Sequence, residues 1–250
     1  MSTPLRDRLA LNLAAVEQRI QAATLRAGRD RGDVQLVAVV KYAQWNWVLE
    51  LIDLGVRHLA ENRPQQLTER VQWLQRDRPG VDVHWHMIGH LQRNKVRPAL
   101  TAAALIHSVD SLRLLERINV VSAELDITPR LLLEVNVSGE ASKDGFSVEQ
   151  LRAEWSAIQA CRHLQVEGLM TMAPESDDPD DARPTFEALR RLRDELAAGP
   201  GEMPLPEMSM GMSSDFETAI ESGATLVRIG SCLFAGCDES TGPPAEVSGG

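Results

Sequence analysis

The sequence predicts an α/β protein, a single (β/α)8 TIM barrel with an extra N-terminal helix, on three observations. Eight short runs rich in Val, Ile and Leu alternate with stretches of helical period, and such alternation makes a parallel sheet, because a crossover, usually a helix, must return the chain to the start of the next strand. The eight units fill about 200 residues of a chain whose length matches the roughly 250 that closed barrels occupy. No Gly/Ser-rich or Pro-rich linker divides it, since the acidic segment 175–181 only joins a strand to the next helix.

The elements follow in order. Thr3 can cap and Pro4 suits a first helical turn, and Leu5, Leu9, Leu13, Val16 and Ile20 fall at three-to-four spacing, which makes an amphipathic helix that closes near Gly28. Strand candidates lie at 34–40, 56–61, 83–88, 104–109, 131–137, 164–170, 206–210 and 225–230. The helical stretches between them are 45–54, 63–76, 92–100, 111–124, 148–161, 183–197 and 213–222. The seventh strand is the weakest, a short PEMSM behind the Gly/Pro-rich GPGEMPLP. One barrel domain is expected over 1–237, and 238–250, which has no periodicity, is expected to be a flexible tail.

Composition narrows the function. In 250 residues, 43% hydrophobic and 25% charged, the balance is that of a folded globular chain. The 26 Lys+Arg against 36 Asp+Glu leave a net charge of −10, a field that repels phosphate polyanions, so no nucleic-acid partner is expected. No apolar run approaches the roughly 20 residues needed to span a bilayer, and the N-terminus lacks the apolar centre of a secretory signal, so no membrane partner and a cytoplasmic setting are expected. Cys161, Cys232 and Cys237 are odd in number and lack CxxC spacing, which suggests reduced thiols.

In a barrel of this kind the active site lies at the C-terminal ends of the strands, so the polar residues just past each apolar run are the candidates. Lys41 follows LVAVV, where an apolar surround favours a neutral amine able to trap a carbonyl; the alternative is a lysine that snorkels out at a strand end. Asn62 follows the second run, and Asn136 and Ser138 follow the fifth. The loops after the seventh and eighth strands, SMGMSSD and RIGSCLFAG, fit the usual phosphate position of barrels: Gly211 and Gly230 permit close backbone approach, and Ser209, Ser213 and Ser231 add hydroxyls. The plainer alternative is that Ser213 or Ser214 caps the next helix. Arg228 shares strand parity with Leu226 and therefore points inward, where it needs either a carboxylate such as Glu134 or a ligand atom. A different function class starts from His84 and His86 on one strand face, with His90 beyond and His107 and Asp110 to recruit: a metal-dependent barrel hydrolase, although no carboxylate–lysine–histidine set completes it. Trp45, Trp47, Trp73 and Trp155 sit at helical packing positions, and Cys232 reads as a small filler.

The motifs LVAVVK (36–41), AEN (60–62), WHMIGHLQRNK (85–95), IHSVDS (106–111), EVNVSGEASKDGF (134–146), VEGLMTMAP (166–174), MSMGMSSDFETAI (208–220) and GATLVRIGSCLFAG (223–236) together resemble the pyridoxal phosphate homeostasis protein family. The resemblance covers nearly all of the chain except the tail. It implies a barrel like the N-terminal domain of alanine racemase, with pyridoxal 5′-phosphate (PLP) held as a Schiff base on Lys41 and Arg228 facing the pyridine nitrogen. It further implies that Ser209, Gly211, Met212, Gly230 and Ser231 surround the phosphate, and that Asn62, and Asn136 with Ser138, line the pocket around the ring. The implied role is vitamin B6 homeostasis, buffering PLP or delivering it to PLP-dependent apoenzymes; the chain is expected to be a monomer. A weak PLP-dependent amino-acid racemase or lyase is the alternative. A cation at the ring nitrogen disfavours the pyridinium and weakens the cofactor as an electron sink. The racemase also uses a second acid/base group, usually a tyrosine, whereas the single tyrosine here, Tyr42, is expected by strand alternation to point away from Lys41. Ala60 where the family usually has glycine, His90 where it often has proline and Ser231 for a common threonine are departures; the serine keeps a hydroxyl, and His90 adds a titratable group near the mouth.

Overall fold

Each predicted run becomes a strand and each amphipathic stretch a helix in the computed structural model, which describes residues 4–140, 143–199 and 203–237. The order is α1 (Leu5–Arg26), β1 (Gln35–Val39), α2 (Trp45–Asp53), β2 (His58–Glu61), α3 (Pro64–Asp77), β3 (His84–Met87), α4 (Val96–Ala102), β4 (Leu105–Val109), α5 (Leu112–Leu125), β5 (Arg130–Glu134), α6 (Val148–Ala160), β6 (Gln165–Met170), α7 (Arg183–Ala197), β7 (Glu207–Ser209), α8 (Phe216–Glu221) and β8 (Leu226–Ile229). The eight strands are parallel and close into a barrel in sequence order, β8 pairing with β1. The tail expected at 238–250 lies outside the described residues.

Strand alternation builds two cores. Leu36 and Ala38 face the helices, whereas Val37 turns inward to pack with Ala60, Leu105, Leu132, Met170 and Leu226 inside the barrel. Among the described residues only seven helices connect the strands, so eight strands leave one outer groove uncovered. Helix α1 fills it, packing against α8 and α2 outside the β8–β1 seam, with Leu9, Val16, Ile20 and Ala23 buried. Arg19 and Arg26 reach Glu217 and Glu221 of α8, and Asn12 Nδ2 donates to the carbonyls of Leu233 and Ala235 at 2.9 Å each. The helix called extra in the sequence is therefore the eighth member of the outer ring.

Three boundaries shift for local reasons. The fifth strand, expected to run to 137, leaves the ladder after Glu134, because Asn136 N turns to donate to Phe146 O at 2.9 Å. The third connecting stretch opens as a tight turn at Arg93–Lys95 before α4, whose first turn tolerates Pro98. Helix α8 begins at Phe216 rather than 213, since Met212 N donates to Asp215 Oδ1 at 2.6 Å and holds 212–215 as a turn; neither Ser213 nor Ser214 caps the helix. The weak seventh strand is the shortest, three residues, and meets β8 in the single register pair Ser209 to Leu226.

Candidate functional site

At the C-terminal ends of the strands a cavity of about 630 Å³ is lined by Lys41, Tyr42, Asn62, Glu134, Met212, Arg228, Gly230 and Ser231, with Val39, Ile88, Trp47 and Phe234 as apolar walls. Lys41 enters because the β1 ladder stops at Val40, whose N–H still reaches Ala60 O at 2.9 Å, and the chain then turns, Ala43 N donating to Val40 O at 3.0 Å. The turn ends strand alternation. Tyr42 consequently does not point away from Lys41, contrary to expectation: the ammonium sits 4.9 Å from the ring centroid and both residues line the cavity. Asn62 is set by a close approach at Gly89, where a Cβ would collide with the Asn62 backbone.

Arg228 points inward as its parity predicts and is 4% exposed. Its partners differ from the expected carboxylate: Nη1 donates to Ser209 Oγ at 2.7 Å and Nη2 to the Thr171 carbonyl at 3.0 Å. Burial pushes the guanidinium down to about 10, opposed by the charges of Glu134 and Asp215. Arg228 also lines the cavity.

Glu134, considered in the sequence only as a partner for Arg228, is 5% exposed, lines the cavity, and makes no side-chain hydrogen bond among the described residues. Burial first, then the charges of Asp110 and Asp144, push its carboxyl up to about 7, against the pull of Arg228. At the rim, His90 Nδ1 lies 3.0 Å from Asp110 Oδ2 and 3.6 Å from Asp144 Oδ2.

Of the sequence-derived set, Lys41, Asn62, Met212, Arg228, Gly230 and Ser231 come together on the cavity wall, joined by Ser213 and Ser214. Four residues do not. Ser209 is fully buried beneath the cavity, its hydroxyl shared by Arg228 and His107. Gly211 lies behind the wall at φ +90°, where a Cβ would come 2.5 Å from Ala219 Cβ. Asn136 turns into its own loop, Nδ2 donating to Glu140 O at 2.7 Å while Oδ1 accepts from Ser138 Oγ at 3.1 Å and from Gly139 N at 3.0 Å. The Asn136 side chain thus ties its own loop together, and this accounts for Asn136 and Ser138 together.

The histidines do not assemble as a metal set. His84 opens on the N-terminal face of the barrel, whereas His90 sits at the opposite mouth. Both ring nitrogens of His86 are taken, by His58 and His107, and no cluster of three or more His, Cys, Asp or Glu that could hold a metal ion occurs among the described residues.

Residues 11–238 match the family model for the alanine racemase N-terminal domain. A pyridoxal phosphate homeostasis protein of Aquifex aeolicus is 40% identical over 222 residues, 89% of this chain and 95% of that one. That of Bos taurus is 38% identical over 91% of this chain and 87% of its own. Among solved structures, PipY of Synechococcus elongatus with PLP bound superposes with a TM-score of 0.79 at 35% identity, covering 90% of this chain and 99% of that one. An alanine racemase of Clostridium difficile, 16% identical with a TM-score of 0.68, covers 91% of this chain and 56% of that one and shows the shared barrel alone. By barrel, by motif order and by identity along nearly its whole length, the chain belongs to the pyridoxal phosphate homeostasis protein family.

Proposed function

We propose that the protein binds PLP in this cavity, through Lys41, and acts in vitamin B6 homeostasis by buffering the cofactor and delivering it to PLP-dependent apoenzymes. The observation that carries it is the meeting of Lys41 and Arg228 on one cavity wall from paired strands, with Met212, Ser213, Gly230 and Ser231 beside them. When bound, PLP supplies an aldehyde for covalent attachment and an aromatic ring that accepts electrons. The residues fit such a group. The Lys41 amine would take the aldehyde, Arg228 would stand as a cation toward the ring, Ser213, Ser231 and the Gly230 backbone would give the phosphate a polar corner, and Val39 and Ile88 would offer an apolar face. Ser209 and Gly211 then serve from behind, one holding Arg228 and the other letting its loop pack on α8. We also take the chain to be a cytoplasmic monomer, a state that light scattering reads directly; no helix among the described residues is long and apolar enough to cross a membrane.

Borohydride reduction of the PLP-loaded protein, followed by peptide mass spectrometry, tests the assignment. A phosphopyridoxyl adduct on Lys41 supports it, and an adduct confined to other lysines overturns it.

Tyr42 beside Lys41 favours a second function, weak racemase or lyase turnover, because a phenol next to the attachment lysine is the kind of acid/base group that such chemistry uses. Loss of α-proton from amino acids in deuterated water, followed by NMR, separates the two: exchange that disappears in Tyr42→Phe supports turnover, and its absence from the native protein supports the carrier.

A further inference from the structure

Beneath the upper cavity, a second cavity of about 320 Å³ opens at the N-terminal ends of the strands and is lined by His58, His84, His86, Arg130 and Glu207. A single file of hydrogen bonds crosses the barrel interior between the two. His58 Nδ1 lies 2.9 Å from His86 Nε2, His86 Nδ1 lies 2.8 Å from His107 Nε2, His107 Nδ1 lies 2.8 Å from Ser209 Oγ, and Ser209 Oγ accepts from Arg228 Nη1 at 2.7 Å. His107 and Ser209 are fully buried and His86 is 2% exposed, so no water competes along the middle of the file.

The polarity of the file follows from its upper end. A guanidinium only donates, so Ser209 Oγ accepts from Arg228. The hydroxyl hydrogen of Ser209 then needs an acceptor, since leaving it unmade in a buried site is costly, and its other partner is His107 Nδ1. His107 therefore carries its proton on Nε2 and donates to His86 Nδ1; His86 likewise carries its proton on Nε2 and donates to His58 Nδ1. Every group is satisfied in this one direction. In the reverse direction the Ser209 hydroxyl would accept twice and its hydrogen would be stranded.

We propose that His107 and His86 are positioning residues for Arg228: as neutral Nε2–H imidazoles they hold the Ser209 hydroxyl with its lone pair toward the guanidinium, and so fix which N–H groups Arg228 presents to the cofactor cavity. The proposal rests on PLP meeting Arg228 in that cavity. Burial keeps the imidazoles neutral, His86 pushed down to about 3 and His107 well below the ordinary histidine value. The file opens from its lower end. Protonating His58 fills the lone pair that accepts from His86, so that link breaks first. Burial, His84 and Arg130 oppose that proton and Asp82 favours it, which puts His58 at about 4; Glu207 and Asp33 face the same lower cavity.

Nitrogen-15 NMR of the histidines in cofactor-free protein, together with PLP affinity and visible absorbance of the loaded protein, tests the proposal. Expected are Nε2–H tautomers for His107 and His86 at neutral pH. His107→Leu, which strands the Ser209 hydroxyl, is expected to weaken PLP binding by about tenfold and to shift the absorbance of the bound cofactor. His107→Asn, which keeps an acceptor near the Nδ1 position, is expected to restore most of the affinity. A proton on Nδ1 of His107, or equal affinity and absorbance in His107→Leu and the native protein, overturns the array. If His107→Leu does not fold, Ser209→Ala reads the same link: weaker PLP binding with shifted absorbance supports the array, and unchanged binding and absorbance overturn it. Failure of native protein to bind PLP refutes the cofactor assignment instead, and with it the cofactor-facing role, while the tautomers separately decide whether the file exists.

Discussion

The Lys41 ammonium lies 4.9 Å from the centroid of the Tyr42 ring, on a turn that brings two adjacent side chains to one side of the barrel mouth. Tyr42 is 82% exposed, so the contact is worth only about 0.5–1 kcal/mol as a cation–π pair. Its importance is steric and chemical: the ring stands beside the one amine on the cavity wall and can shield it from solvent.

Lys41→Ala is expected to abolish borohydride-dependent labelling while leaving weaker, non-covalent PLP binding through Arg228 and the Ser213, Gly230 and Ser231 corner. Equilibrium dialysis with mass spectrometry checks both halves. Undiminished labelling of the variant would place the attachment elsewhere.

Glu134 makes stability fall on the alkaline side. Its folded value, about 7, is raised above the ordinary 4.5, so its contribution is complete below pH 4.5 and is lost as pH rises towards 7. Glu134→Gln should therefore gain about 1–3 kcal/mol relative to native protein at pH 8 over the difference seen at pH 4.5. Urea denaturation of both cofactor-free proteins at the two pH values decides it; parallel pH profiles would count against a buried, unpartnered carboxyl.

The interior histidines act with the opposite sign. His86 is depressed from 6.5 to about 3, so the unfolded chain takes up a proton first, and stability present above pH 6.5 is lost as pH falls towards 3. The slope is about 1.4 kcal/mol per pH unit for one fully buried histidine inside that window. His58, only partly buried, adds a smaller share. In His86→Gln the slope between pH 6 and pH 4 should flatten, and an unaltered slope in urea denaturation would show that His86 is not the group responsible.

Gly211→Ala should destabilise the fold by about 1–3 kcal/mol. The cause is double, a φ of +90° and a Cβ placed 2.5 Å from Ala219 Cβ and 2.9 Å from Phe216 Cα. Because Met212 and Ser213 follow directly, PLP affinity should fall with stability. A variant of native stability and affinity would mean that the loop can shift off α8 freely.

The parts of the site that were legible in the sequence are those set by one strand and its parity. Arg228 points inward because Leu226 does, and Lys41 ends an apolar run. What escaped depends on distances between strands or on where a ladder stops. The histidine file needs β2, β3 and β4 side by side and β7 across the barrel interior from β4, which no local pattern contains. Alternation misdirects Tyr42 because it extends the strand two residues past Val40, where the pairing ends. Asn136 and Ser138 read the same in the sequence whether they serve a ligand or tie their own loop, because the same polar atoms can do either. The signal for Glu134 was present, as the last inward residue of its strand, but a nearby arginine offered a simpler partner.

Lys41 and Arg228 come from opposite ends of the chain and meet only because Val37 of β1 is in register with Arg228 of β8. A ligand touching both therefore bridges the joint between the first strand made and the last. During synthesis the lysine emerges early, yet its pocket has no second wall until some two hundred further residues have followed. Nascent or truncated chains lacking β8 should then ignore PLP altogether, which makes cofactor capture a signal that the barrel has been completed.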